Sequence, residues 1–253
     1  MSTPRPLVLL AHGTANPAGR ETVYAVSRLV ARRLPKVDLT VGFVDVCSPG
    51  PEVVLPPHPD AVVVPYLLTS GYHVHHDIPE AIARYAPDAV QTPALGLAGQ
   101  VIDVAARRHR ESLPPARAQV DAAVLTGAGS SDPRARQEVL CSASVLAACL
   151  ALPVRAGFLS GPGPRGAEVV QDLRREGAAC VAAISFLLAP GFFHGKAKQI
   201  GADVVSAPLG VHAGLADLVV ARYRRGCVGP SPSSDASSAS DAGRGEGKLS
   251  GRY

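Results

Sequence analysis

Apolar and polar positions along this chain follow two alternating rhythms. Short runs rich in Val, Leu and Ala occur at Leu7–Ala11, Leu39–Asp45, Ala61–Leu68 and Ala89–Thr92. Each is too brief for a helix and predicts a buried strand. Between the first two runs, Val23, Val26, Val30 and Leu34 recur at helical spacing. Asn16 followed by Pro17 supplies a side-chain cap and a first-turn residue that needs no N–H partner. Further helix signals follow Asp77 and Gly99. Strands alternating with helices predict an α/β fold whose parallel sheets are covered on both faces.

The pattern then repeats. Leu9-Leu10-Ala11-His12-Gly13-Thr14-Ala15-Asn16-Pro17 aligns with Leu125-Thr126-Gly127-Ala128-Gly129-Ser130-Ser131-Asp132-Pro133. Gly42-Phe43-Val44-Asp45 aligns with Gly157-Phe158-Leu159-Ser160, and Tyr66-Leu67-Leu68-Thr69-Ser70-Gly71-Tyr72-His73 with Phe186-Leu187-Leu188-Ala189-Pro190-Gly191-Phe192-Phe193. Pro93-Ala94-Leu95-Gly96 returns near Ala207-Pro208-Leu209-Gly210. Four landmarks in one order at nearly constant offset mark a tandem duplication. The expected domains are 1–115 and 116–227, two copies of one parallel-sheet unit with a cleft between them. Beyond these, the Ser/Gly-rich stretch 228–253 has almost no large apolar residue and is expected to be disordered.

Composition narrows the field. The 253 residues are 47% hydrophobic and 18% charged, enough apolar material for a sizeable core. Trp is absent and aromatics are 4%, so an aromatic platform for single-stranded nucleic acid is not expected. The net charge of +4 comes from scattered Arg rather than a phosphate-tracking stripe. The opening apolar run ends at Ala11, short of a signal-peptide core. The longest uncharged stretch, Gly177 to Phe193, contains Pro190 and Gly191 near its end and reads as a strand and loop rather than a membrane span. Neither a nucleic acid nor a membrane is therefore expected as partner. Cys47, Cys141, Cys149, Cys180 and Cys227 form no Cys-x-x-Cys pair and read as buried thiols of a reducing, cytoplasmic protein.

Three strand-end loops of the first copy carry the candidate chemistry. His12 follows the first strand, Asp45 closes the second and His73 follows the third. Ligands of open parallel sheets bind beyond the carboxyl ends of strands, so two imidazoles and a carboxylate are expected to face one crevice. Such a set suits Fe, Co, Ni or Zn. Taken singly, each of these residues is more commonly an ordinary loop residue. It is the three corresponding placements that make a constellation. His75 and His76 offer further imidazoles, but Asp77-Ile78-Pro79 reads as a helix start there. His58, His109 and His212 read as structural or solvated. His194 stands one residue past the position matching His73. No P-loop lysine, dinucleotide fingerprint or Gly-x-Ser-x-Gly elbow is present.

Ala11-His12-Gly13-Thr14, Gly42-Phe43-Val44-Asp45 and the segment Leu67-Leu68-x-x-Gly71-Tyr72-His73-x-x-x-Asp77-Ile78-Pro79 resemble the sirohydrochlorin chelatases, class II chelatases of sirohaem and cobalamin synthesis. The resemblance covers residues 6–225. It implies two α/β domains holding a tetrapyrrole between them, and ATP-independent insertion of Fe²⁺ or Co²⁺ into sirohydrochlorin. Iron is favoured because sirohaem is the more widely needed product. His12 and His73 match the family's metal ligands by motif. Asp45 falls where the family commonly carries Glu, one methylene longer, and is expected to act with the histidines in catalysis. Thr14, Tyr72, Phe193 and His194 are the expected substrate contacts, with backbone N–H groups after Thr14 and Ser130 receiving carboxylates; Arg20 is a further cation that the sequence does not place. No cofactor beyond the substrate metal is expected, and the internal duplication favours a monomer. A phosphohistidine enzyme is the weaker reading, because Ala11 stands where Arg would bind phosphate. A non-catalytic metal or tetrapyrrole carrier on the same fold is the other alternative.

Overall fold

A computed structural model describes residues 3–113 and 120–228. The expected tail lies outside the described residues. The first half contains strands β1 (Leu7–Ala11), β2 (Leu39–Phe43), β3 (Val62–Tyr66) and β4 (Val90–Gln91), with helices α1 (Pro17–Arg33), α2 (Pro51–Val54), α3 (Ile78–Tyr85) and α4 (Gly99–Ser112). The second half repeats the order: β5 (Ala122–Gly127), α5 (Pro133–Leu150), β6 (Val154–Phe158), α6 (Gly166–Arg175), β7 (Val181–Phe186), α7 (Phe192–Ala197), β8 (Val204–Val205) and α8 (Ala213–Val228).

Each half is a four-stranded, wholly parallel sheet, ordered β2-β1-β3-β4 and β6-β5-β7-β8. The register confirms the repeat: Ala11 pairs with Tyr66, and Gly127 pairs with Phe186. The inner strands β1, β3, β5 and β7 are buried along their whole length because helices cover both faces. Strand β1 matches its apolar run, whereas β2 stops at Phe43, short of its run, and leaves Asp45 beyond its end.

Helix starts follow local chemistry. The Asn16 side chain accepts from Ala18 N at 2.9 Å and Asp132 accepts from Arg134 N at 2.8 Å, each just before a proline. The α1 stripe Val23, Val26 and Val30 then turns into the core. Helices α1, α4, α5 and α8 lie between the sheets and share one core with both. The last helices are exchanged. Helix α8 packs on β3, with Gly226 so close to Val62 that a Cβ there would stand 2.5 Å from Cγ1. Helix α4 packs on β7 and β8, where the Arg108 guanidinium donates to Leu209 O at 3.0 Å. The halves are therefore bound by a common interior, and the outer faces carry separate small cores.

The cysteines depart from expectation. All five are free, Cys149 and Cys227 are exposed, and the other three are partly buried. Cys149 and Cys227 sit in the last turns of α5 and α8. Among the described residues no helix is long and apolar enough to cross a membrane.

Candidate metal centre

The site is built where β1, β2 and β3 end. Gly13 adopts φ +101°, and a Cβ there would lie 1.9 Å from Asp45 O, so only glycine lets the turn after β1 close on the end of β2. Backbone bonds continue past both strands, with Val44 N donating to Ala11 O at 2.8 Å and Asp45 N to His12 O at 2.9 Å. These two contacts bring His12 and Asp45 together. The Asp45 carboxylate accepts from Val46 N at 2.7 Å, and Val46, a β-branched residue, is held at φ +67°. A valine in that region is a strained choice, costing on the order of 1–3 kcal/mol.

His73 comes from a different device. The loop after β3 runs directly into a π-helical turn, His73–Asp77, which leads without a break into α3. The sequence reading began the helix at Asp77; the wider turn starts it four residues earlier, and such turns often mark functional sites. The turn places the Asp77 carboxylate 2.5 Å from His73 Nδ1. Asp77 is the residue that sequence reasoning took only for a helix start. A histidine and a carboxylate four apart in a helix-prone segment were the available signal.

His12, Asp45 and His73 each present a donor atom, and the three atoms lie within 4.8 Å of one another. The imidazoles meet edge to face with centroids 4.7 Å apart. His12 Nδ1 lies 3.3 Å from Gly13 O, and His73 Nδ1 faces Asp77. In the tautomers these partners select, Nδ1 donates and each Nε2 keeps a free lone pair for an ion. Donors sharing one ion at 2.0–2.2 Å stand about 3–4 Å apart, so small side-chain rotations complete the set. Burial lowers the His12 pKa, with the neighbouring His73 acting in the same direction; the Gly13 carbonyl and Asp45 partly oppose this. The balance favours the neutral imidazole, the form that binds metal. Two histidines and one carboxylate occupy one side of a coordination sphere and leave the opposite positions open.

His12 and His73 line a cavity of about 950 Å³ between the halves, and Asp45 stands just behind that lining, between Phe43 and Val46, which belong to it. Its floor is apolar: Val23, Phe43 and Tyr66 from one half meet Val139, Phe158 and Phe186 from the other. At the rim Tyr72 stacks on His76 with centroids 4.6 Å apart, and opposite it Lys196 Nζ sits 4.8 Å from the Phe192 centroid. Thr14, Phe193 and His194 also line the cavity, whereas His75 and His76 do not. His194 Nε2 lies 3.3 Å from Ser206 O, and its pKa is lowered by burial and by Lys198. The helix-start N–H groups are less available than their sequence suggests. Thr14 Oγ1 accepts from Asn16 N and Ser130 Oγ from Asp132 N, both at 3.1 Å. Asp132, a carboxylate whose pKa is lowered by hydrogen bonds from Arg134, stands at the second start. Arg20 braces the His12 loop through Thr14 O and Ala15 O, and Arg136 does the same for the second half through Ser130 O and Ser131 O. Only Arg136 of the pair lines the cavity.

The other histidines are structural. His58 Nε2 pairs with Thr40 Oγ1 at 3.1 Å, His212 Nδ1 accepts from Gly214 N at 3.0 Å, and His109 is buried in α4. In the second half Ala128, Ser160 and Phe193 stand at the ligand positions, and Ser160 Oγ donates to Ala128 O at 2.7 Å. The turn itself is preserved, with Gly129 at φ +108° and a Cβ there 2.0 Å from Ser160 O. The scaffold is duplicated and the donor set is not.

Fold and site together define a two-lobed α/β protein that groups two histidines and a carboxylate, a donor set able to hold a divalent metal, beside a large cleft between its halves. The CbiX family profile matches residues 6–112 and 122–226, and the chain belongs to that family. Over 144 residues it is 29% identical to the sirohydrochlorin ferrochelatase of Bacillus subtilis (strain 168), an alignment covering 54% of each protein, so the match spans about half the length of that relative. In fold it is similar to the sirohydrochlorin chelatase SirB from Bacillus subtilis subspecies spizizenii in complex with cobalt, with TM-score 0.74 and 20% identity over 90% of this chain and 97% of that one. SirB from Bacillus subtilis with Fe³⁺ gives 0.73 and 22% over 88% and 96%.

Proposed function

We propose that this protein inserts a divalent metal into sirohydrochlorin without ATP, with Fe²⁺ favoured and Co²⁺ accepted. The observation that carries the reading is the grouping of His12, Asp45 and His73, whose donor atoms lie within 4.8 Å of one another while both imidazoles line a cleft near the upper end of ordinary ligand-pocket volumes, roughly 300–1,000 Å³. The Bacillus subtilis relative named as a ferrochelatase, and SirB structures carrying cobalt and iron, support both the reaction and its breadth of metal.

The chemistry follows from the geometry. His12 Nε2, His73 Nε2 and an Asp45 oxygen hold the substrate ion on one side, leaving water on the other to be exchanged for ring nitrogens. Two pyrrole N–H bonds break as the metal–nitrogen bonds form, and no redox change is needed. As the ion moves from these donors to the ring, the lone pairs it releases on His12 Nε2 and Asp45 would take the two protons, one each, and pass them to solvent through the open cleft. The Asp77 carboxylate keeps the His73 ring oriented while the ion leaves. Tyr72 and Phe192, exposed at opposite rims, are placed to receive the faces of a flat ring, with Thr14, Phe193 and His194 as further contacts. Purified protein supplied with sirohydrochlorin and Fe²⁺ or Co²⁺ should give many equivalents of metallated product per chain. Stoichiometric binding without turnover would make it a carrier, and a rate equal to the spontaneous one with both metals would refute the enzyme.

A further inference from the structure

The second half lacks metal ligands but touches the loop that delivers one. Ser70 N, three residues before His73, donates to Glu138 Oε2 at 2.7 Å. Glu138 lies on α5, in the opposite half, and its charged carboxylate makes this a strong class of hydrogen bond. Next to it Gly71 lies against α5 and the loop before it: a Cβ on Gly71 would stand 3.5 Å from Ala135 Cβ and from Ser130 Oγ. Gly71 O then accepts from Val74 N at 3.1 Å and His75 N at 3.2 Å, opening the turn that carries His73. The tether therefore holds the start of the π-helical turn.

The mirror position is informative. The matching loop, Ala189-Pro190-Gly191, also seats on the opposite half, with Pro190 O 2.6 Å from a Cβ placed on Gly19 of α1. Yet Pro190, which aligns with Ser70, has no N–H. Thr22, which aligns with Glu138, turns its hydroxyl onto Ala18 O of its own helix at 2.8 Å. Packing is kept on both sides, and the charged tether occurs on the side whose loop bears a ligand.

We propose that Glu138 is a positioning residue for His73, so that the half without metal ligands sets the geometry of the metal centre in the other. This rests on the chelatase reading only in taking His12, Asp45 and His73 as the ion's binding site.

The test titrates Co²⁺ into the full-length protein, following cobalt absorption, alongside thermal melting and insertion kinetics. Glu138→Ala should weaken Co²⁺ binding about tenfold, the scale of one lost charge-assisted bond. The rate constant kcat should fall with it while KM for the tetrapyrrole stays within about twofold. Glu138→Gln, whose amide oxygen can still accept from Ser70 N, should recover binding to within about threefold of wild type. Ser70→Pro, which reproduces the second half's residue and removes the donor while also fixing φ at this position, should lose at least as much as Glu138→Ala, and adding Glu138→Ala to it should cost nothing more. Wild-type Co²⁺ affinity in Glu138→Ala would overturn the inference and leave the chelatase reading standing. So would additive losses, or a Gln variant as weak as Ala. A wild type that binds Co²⁺ but never inserts it would refute the chelatase reading and leave Glu138 in place. Should Glu138→Ala melt early, the Gln and Ser70→Pro arms decide.

Discussion

Replacing Tyr66 with Phe should make this protein more stable. Tyr66 ends β3 and is 1% exposed, and its hydroxyl has no hydrogen-bond partner. Burial alone pushes the phenol's pKa far above its usual value, the response of a group whose charged form has no nearby support. An unsatisfied buried hydroxyl costs about 1–3 kcal/mol. Deleting the oxygen leaves a void on the order of 10–15 Å³, which at roughly 24 cal/mol per Å³ costs about 0.3 kcal/mol. The net gain is about 1–2 kcal/mol. The site tolerates the smaller ring, because Phe186 holds the corresponding place against Gly127 in the second sheet. The shared core between the sheets favours one cooperative transition, for which each kcal/mol moves the midpoint by about 2–4 °C. Calorimetry and urea unfolding of Tyr66→Phe should therefore show a rise of a few degrees and a higher midpoint with unchanged m-value. A loss of 1 kcal/mol or more would refute the reasoning and mean that the hydroxyl is bonded to a water or ligand at the cleft floor.

Three further outcomes are expected. His12→Ala or His73→Ala should lower insertion by at least a hundredfold with little change in melting temperature, since both rings open to the cleft, and Asp45→Asn should cost less because the histidines share the proton work; wild-type rates in both histidine variants would displace the site. Asp77→Asn should weaken Co²⁺ binding about 10–100-fold, the usual effect of losing a histidine's supporting carboxylate, and isothermal titration with an unchanged affinity would contradict that role. His194→Ala should raise KM for the tetrapyrrole more than it lowers kcat, with one metal bound per chain; two equivalent metal sites, or a variant as inactive as His12→Ala, would reverse this assignment.

Much of the site was legible because its residues lie at predictable points of a predictable fold. Strand ends in parallel sheets face one edge, so His12, Asp45 and His73 could be grouped before any coordinates. The capped starts at Asn16 and Asp132 were equally local. Asp77 was half visible: its spacing from His73 suits a helical turn, but the turn began earlier than the Ile78-Pro79 signal suggested. Arg20 illustrates the opposite case: its sequence gives it no place, and the structure has it bracing the loop that holds His12.

Sequence by itself determined the duplicated α/β units, the caps and the three donors, because each depends on periodicity or on neighbours a few residues apart. Tertiary structure alone decided the exchange of α4 and α8, the Glu138 tether to Ser70 and the unpartnered Tyr66 hydroxyl. These contacts join residues scores of positions apart. Their partners are chosen by how two sheets share a core, and no local pattern of apolar and polar residues carries that information.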